Sequence, residues 1–362
     1  MKMFFKLFFL SFFIFLKSHG TDFIIRDLGT LANDESQGSS INNNNVVVGS
    51  FKNTSSEKYD FIWDQSHGMT ILPCADKSVS YQRPFINNLN QVAGVYWYET
   101  NNWFFENTTR KHLYIYHSDG SFEDIGWPKK WKNKPILEWQ TISLWDEKDL
   151  AIVDFNDLGQ ILIANSSDVS KVTEYAIWHQ GKYKYIDPAQ IDRAYGLNNC
   201  GLILGRRWPQ NKKGTDVPQL VLYDFERNMH QIITNDVNFF HKDFNDKGQV
   251  ILVQMLEDQD IVKGFFWDPK QGLIAYQSFI PFAINNLEQM IGMQESKDEK
   301  FIPSFWWHGE LTDLNQTLQI GSLDCPWENI NLPTSLNDNG WIIGLGLFDN
   351  KKHGYVLIPT DL

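Results

Sequence analysis

Short apolar runs alternate along the chain with polar stretches rich in Asn, Asp and Gly, a spacing that fits strands and tight turns better than helices. One polar interruption repeats. An apolar residue, then Asn, then Asn or Asp stands at Ile41-Asn42-Asn43, Ile86-Asn87-Asn88, Phe155-Asn156-Asp157, Leu197-Asn198-Asn199, Phe244-Asn245-Asp246, Ile284-Asn285-Asn286 and Leu336-Asn337-Asp338, seven copies in all. Three residues after the first Asn comes Gly (159, 201, 248, 340) or Asn (45, 90). Gln follows at 91, 160, 249 and 289, and Gly stands seven residues after the Asn at 49, 94, 205, 292 and 344. Asn and Gly at fixed offsets between apolar runs mark a hairpin that needs left-handed backbone. Each copy therefore opens with two paired strands.

A short aromatic run follows each hairpin and ends at Trp63, Tyr116, Trp178, Tyr223, Trp267, Trp307 or Leu357. In most copies a Gly turn and a fourth apolar strand come next, such as Met69 to Leu72, Tyr183 to Ile186 or Glu310 to Leu314. The anchor asparagines lie 45, 69, 42, 47, 40 and 52 positions apart, bracketing the roughly 40 to 50 residues of one propeller blade. The seventh copy has its hairpin (Thr334 to Leu347) and aromatic strand (His353 to Ile358) but no fourth strand. Phe23 to Leu31 has the character of a fourth strand with no hairpin before it. A closed ring would let that segment complete the last blade and remove an open edge. The expected fold is all-β: a single seven-bladed β-propeller over residues 21–362, closed by its N-terminal strand, with an insertion at about 98–148 in the longest interval.

AINNLEQMIG (Ala283 to Gly292), DLGTL (Asp27 to Leu31) and HGYVLIP (His353 to Pro359) carry a resemblance to the extracellular repeat family named for its His-Ala-Phe tripeptide. YDFIW (Tyr59 to Trp63), EYAIW (Glu174 to Trp178), KGFFW (Lys263 to Trp267) and PSFWW (Pro303 to Trp307) keep the aromatic end of that motif and lose the His, which marks these as packing positions. The resemblance implies secretion and a propeller-like repeat, and transfers no catalytic residue.

Composition narrows the function classes. Of 362 residues 42% are apolar and 15% aromatic, too rich in core formers for a disordered chain, and 13 Pro with 24 Gly exclude a collagen-like one. A net charge of −12 argues against nucleic acid as a partner. Met1 to Gly20 has the three parts of a secretory signal: Lys2 and Lys6, the apolar run Leu7 to Leu16, and small Ser18 and Gly20 before Thr21. The apolar run is too short to span a bilayer. The expectation is a secreted or periplasmic monomer with no membrane insertion after removal of residues 1–20. Cys74, Cys200 and Cys325 form neither a C-x-x-C pair nor a disulfide framework, and a chain this long needs no staple, so free thiols are expected.

Candidate chemistry is sparse. The repeated asparagines are ascribed to left-handed turn geometry and to bonds with their own backbone. Asp64, His117, His179, Asp224, Asp268 and His308 each follow a repeat aromatic and resemble a metal set, but turns of separate blades do not converge on one ion, so no metal and no cofactor is expected. Two residues before each anchor stand Ser40, Phe85, Asp154, Gly196, Asp243, Ala283 and Ser335. If this strand lines the channel, Asp154 and Asp243 face shared space and could serve acid/base chemistry or bind a cation. The insertion holds Trp103 and WPKKWKNK; Trp127, Lys129, Lys130, Trp131 and Lys132 combine aromatics with cations and could stack on sugars or meet anions. No H-E-x-x-H, G-x-S-x-G, phosphate loop or dinucleotide fingerprint occurs, and Ser55 to Lys58 matches S-x-x-K without a partner motif. The function expected is a binding or interaction scaffold for a protein, peptide or glycan. A hydrolase or lyase using Asp154 and Asp243 is the alternative, and a surface protein without a ligand a weaker third.

Overall fold

The computed structural model describes residues 21–30, 35–52, 58–72, 82–102, 105–126, 128, 149–166, 173–209, 217–256, 261–296, 300–318 and 325–360. They form a seven-bladed β-propeller of four-stranded antiparallel sheets. Strand β1 (Phe23–Asp27) comes first. Blade 1 is β2 (Ser36–Ile41), β3 (Val47–Lys52), β4 (Lys58–Asp64) and β5 (Gly68–Ile71). Blade 2 is β6 (Phe85–Ile86), β7 (Val92–Asn102), β8 (Phe105–Tyr116) and β9 (Phe122–Gly126). Blade 3 is β10 (Asp149–Phe155), β11 (Ile161–Ser166), β12 (Thr173–His179) and β13 (Lys182–Tyr185). Blade 4 is β14 (Arg193–Leu197), β15 (Leu202–Arg207), β16 (Gln219–Asp224) and β17 (Met229–Thr234). Blade 5 is β18 (Phe239–Phe244), β19 (Val250–Leu256), β20 (Ile261–Asp268) and β21 (Gly272–Ala275). Blade 6 is β22 (Phe279–Ile284), β23 (Met290–Glu295), β24 (Phe301–Trp307) and β25 (Glu310–Asp313). A single helical turn, α1 (Leu314–Thr317), leads on to blade 7, formed by β26 (Trp327–Leu336), β27 (Ile342–Phe348) and β28 (Lys351–Pro359).

β1 supplies the fourth strand of blade 7, pairing antiparallel with β28 from Phe23↔Pro359 to Asp27↔Tyr355. The strand is shorter than the expected Phe23 to Leu31. It stops at Asp27 because Gly29 turns the chain at φ 83° and donates its N–H to Asp27 Oδ1 at 2.8 Å. Asp27 also meets His353 Nδ1 at 3.0 Å across the closure. The same pair recurs in blade 2, where His112 meets Asp124 at 3.0 Å and Gly126 N–H bonds to Asp124. The His of the strand motif and the Asp of the D-L-G tail thus form one contact, and are more than packing positions where both occur.

Among the described residues seven buried apolar clusters hold the wheel together, one at each blade interface. The cluster between blades 7 and 1, for example, joins Leu28, Trp341, Ile343 and Val356 to Ile41, Val47, Phe61 and Trp63. No blade covers its own apolar faces, so stability comes from the neighbours. The glycines seven residues after the anchor make room for this packing: a Cβ at Gly94 would sit 2.4 Å from the Tyr114 ring, and one at Gly344 would sit 2.3 Å from the Tyr355 hydroxyl. Inner strands β2, β10, β14, β18, β22 and β26 share a bulge three residues before the anchor, at Ser39, Val153, Tyr195, Lys242, Phe282 and Thr334. The bulge turns the next residue toward the axis.

Candidate functional site

Each anchor Asn opens a three-residue hairpin loop. Its N–H donates to the carbonyl four residues on, and its own carbonyl accepts from the residue three on. The left-handed position is that third residue (Asn45, Asn90, Gly159, Gly201, Gly248, Glu288 and Gly340, φ 56–75°), not the anchor. Left-handed tolerance is therefore not what the anchors supply, which corrects the reading from sequence. Bonding to their own backbone is: in every blade the anchor Oδ1 accepts N–H bonds from the residues two and four on, as Asn198 does from Cys200 and Leu202.

The anchor Nδ2 groups do something the repeat pattern conceals. Each donates to the main-chain carbonyl of the next blade's anchor, from Asn42 through Asn87, Asn156, Asn198, Asn245, Asn285 and Asn337 and back to Asn42, at 2.8–3.2 Å. This is a closed head-to-tail ring of buried amides. The second Nδ2 hydrogen goes to Gln91, Gln160, Gln249 or Gln289 in the same hairpin. Blades 1, 4 and 7 have Val46, Leu202 and Trp341 in that place, and in blades 1 and 7 the hydrogen goes to the next blade's Asn90 or Asn45. Asn45 and Asn90, in the loops of blades 1 and 2, thus stand in for the Gln missing from the preceding blade, a substitution not made at blade 5, where Gly248 follows the Gln-less blade 4.

A second ring lies beside the first. The N–H of Asn43, Asn88, Asp157, Asn199, Asp246, Asn286 and Asp338 donates in turn to the side-chain Oδ1 of the next member, at 2.6–2.9 Å. Amides and carboxylates alternate in it. Asn199 donates to Asp157 and Asp246, Asn286 to Asp246 and Asp338, Asn43 to Asp338 and Asn88 to Asp157. Seven is odd, so one like-with-like junction is unavoidable. It falls at Asn43–Asn88, between neutral groups, where two carboxylates side by side would repel.

The rings enclose the mouth of a cavity of about 230 Å³ on the propeller axis, and Asp154 and Asp243 line its inner part as the sequence suggested. Asp154 accepts from Phe155 N–H and, across the interface, from Leu197 N–H, both at 2.8 Å. Asp243 does the same with Phe244 and Ile284, at 2.9 and 3.0 Å. Gly196 leaves the space that Asp154 fills, since a Cβ there would lie 3.2 Å from its carboxylate. Each acid clamps two blades with both oxygens engaged. This is a structural role, and no basic side chain shares it: Arg206 pairs with Asp192, and Lys242 lies over the Phe282 ring.

Among the described residues five carboxyl groups and no basic side chain line the cavity. Burial, only partly offset by the backbone N–H bonds, pushes Asp154 up to about 6, with Asp246 adding to the rise. Burial likewise pushes Asp243 up to about 7, with Asp154 adding to it. Both therefore keep protons in the folded chain between pH 4 and 6–7 that the unfolded chain has released, so their contribution to stability falls as pH rises through that window. The expected span is a few kcal/mol, at about 1.4 kcal/mol per pKa unit. Thermal melts between pH 5 and 8 should show this slope in the parent and a shallower one in Asp243→Asn; equal slopes would refute it. Asp64, Asp268 and Glu288 are held low, the last two mainly by side-chain hydrogen bonds and Asp64 by its bonds to His67 and Ser66 against the cost of burial, so they act in the opposite sense, in acid only.

Three members of the sequence's apparent metal set serve their own turns. Asp64, Asp224 and Asp268 each cap their own turn by accepting N–H bonds two and three residues on. Among the described residues no cluster of His, Cys, Asp and Glu suits a metal ion. Cys200 and Cys325 are free thiols, and Cys74 lies outside the described residues. So do Trp103, Trp127, Lys129, Lys130, Trp131 and Lys132, and residues 1–20. Asn165, in an N-x-S sequon, is buried and closed to glycosylation. Among the described residues no helix is long and apolar enough to cross a membrane.

No family model matches the sequence, and no characterised protein matches it by sequence. Solved structures do match by fold. The acylaminoacyl peptidase of Pyrococcus horikoshii aligns at a TM-score of 0.51 and 12% identity over 86% of this chain and 50% of that one, so the chain spans about half that enzyme's length. The β-propeller domain of the trilobed protease from Pyrococcus furiosus, described as having an open velcro topology, aligns at 0.51 and 14% identity over 77% of this chain and 81% of that one. At these identities the likeness is one of fold, the seven-bladed β-propeller.

Proposed function

We propose that this chain is a secreted or periplasmic interaction scaffold that binds a protein, peptide or glycan on the end of the wheel opposite the asparagine rings. The observation that carries this reading is how the two ends differ. At the ring end the hairpin amides are spent on neighbouring blades, and the cavity is lined only by Asn, Asp and apolar residues whose central acids are already bonded to backbone. The opposite end receives the connections between blades and the loops between second and third strands. The long β7–β8 hairpin reaches toward it. In sequence, residues 127–148, with Trp127, Lys129, Lys130, Trp131 and Lys132, fall between β9 and β10, and insertions between repeats often bind. Aromatics and cations in such a connection suit glycan or anionic surfaces.

A glycan and peptide array probed with the purified chain tests this. Bound ligands are expected to survive serine substitution of the exposed ring-end residues Leu89, Leu158 and Leu287, and to be lost on changing Trp127 and Trp131 or other far-end residues. Binding that depends on the ring-end leucines, or no binding to any array member, would overturn it.

A further inference from the structure

Away from the rings, blades 4 to 6 carry a cationic and apolar arc on a chain whose net charge is −12. Arg193 begins β14 and is exposed. Two residues on, Tyr195 lies flat on His241 of β18, ring centroids 3.6 Å apart. Lys242, the bulged residue of β18, turns the other way and holds its Nζ 5.6 Å from the centre of the Phe282 ring on β22. Phe240 is 48% exposed, and Met255, near the far end of β19, is 54% exposed. Among the described residues no carboxylate pairs with Arg193 or Lys242, whereas Arg206 alongside is taken by Asp192 and Lys184 and Lys247 are taken by glutamates.

The His241 environment ties the two cations to one place. Burial first, then Lys242 and Arg193, push its imidazole down to about 4, so it is a neutral ring at physiological pH with a positive charge on either side. Phe240 adjoins His241 on β18 and pairs with Val253 of β19, two residues before Met255, so exposed Phe and Met stand on the same strand pair as Lys242 and ask for a ligand with carboxylates and an apolar side chain together. A sugar is a poorer fit, because the faces it would stack on are occupied: His241 covers Tyr195 and Lys242 covers Phe282. Nucleic acid would meet the chain's overall negative charge.

We infer that Arg193, Tyr195, Phe240, His241, Lys242 and Met255 form a docking site for an acidic peptide segment bearing an apolar side chain. Lys242 and Arg193 receive the carboxylates, and Phe240 with Met255 covers the apolar group. His241 and Phe282 hold Tyr195 and Lys242 in position. The inference rests on the scaffold reading and narrows it to one ligand class and one place.

The test is fluorescence polarisation with the full chain and three short labelled peptides, one of Glu, Gly and Leu, one with Lys in place of Glu and one with Ser in place of Leu. The Glu–Leu peptide should bind, with affinity falling as salt rises, and each replacement should weaken it by about tenfold or more. Arg193→Glu with Lys242→Glu should weaken it similarly, as should Phe240→Ser, while Lys270→Glu on a ring-end turn should leave it unchanged. Melting curves identify variants that remain folded, and Arg193→Gln and Lys242→Gln repeat the measurement if the reversals do not. Equal binding of the Lys peptide, or binding unchanged in the folded charge variants, overturns the site. Array ligands that survive those variants leave the scaffold reading standing and this site refuted; no array ligand and no peptide binding refutes both.

Discussion

Removing residues 22–30 is expected to cost the chain most or all of its folded stability. The segment buries Phe23 of β1 and Leu28 just beyond it, at about 1.5–3 kcal/mol each. It also contributes a five-residue ladder to β28, with each hydrogen bond worth about 1 kcal/mol net. The sum is comparable with the roughly 5–15 kcal/mol that holds a typical domain together. The loss also bares the edge of β28, with Tyr355 and Leu357 facing blade 6 and Val356 facing blade 1, a template for aggregation. Circular dichroism and gel filtration should show a chain that is unfolded or self-associated at room temperature. Leu28→Ala, which leaves a cavity without removing the strand, should lower stability by about 2–5 kcal/mol. A truncated chain that melts within a few degrees of the parent would mean that the wheel is not held shut by this strand.

Asn198→Ala should be strongly destabilising. It strips the bond partner from Cys200 N–H, Leu202 N–H and the Asn245 carbonyl at once, in a hairpin where the anchor is buried. Each buried backbone group left unmatched costs about 1–3 kcal/mol, for a loss of roughly 3–6 kcal/mol by denaturant titration. Asn198→Asp separates the two jobs of the side chain. It keeps the acceptors for the loop N–H groups, loses the donor to blade 5 and adds a carboxylate near Asp154 and Asp246. Its deficit should therefore shrink as pH falls below 5, while that of Asn198→Ala should not. A loss under 1 kcal/mol in both would show that the rings are incidental to the fold.

The fold was legible because its signals are local. An apolar residue, Asn, and Gly or Asn three on specify a hairpin through bonds made within five residues, and the stray fourth strand at the N-terminus could be matched to the blade that lacks one. Asp154 and Asp243 were legible as exceptions to a repeat, since an acid where five other copies place small, hydroxyl or aromatic residues needs a reason. The reason itself was not legible: the N–H groups that occupy them belong to Leu197 and Ile284, 43 and 41 residues away. The amide rings escaped for the same cause. An Asn that serves its own turn and an Asn that also serves the next blade look alike in sequence, and only the substitution of Asn45 and Asn90 for Gly, in loops next to blades lacking the Gln, hinted at traffic between blades.

The sequence by itself determined the strands, their order, the number of blades and the segment that closes the last one, because hydrogen bonding within a hairpin and the alternation of apolar positions act over a few residues. The tertiary structure decided what those blades make at their centre: two rings of hydrogen bonds, a carboxyl-lined cavity at one end and a cationic, apolar arc toward the other. Those depend on the distance between groups on different blades, and bending seven sheets around one axis is what sets that distance.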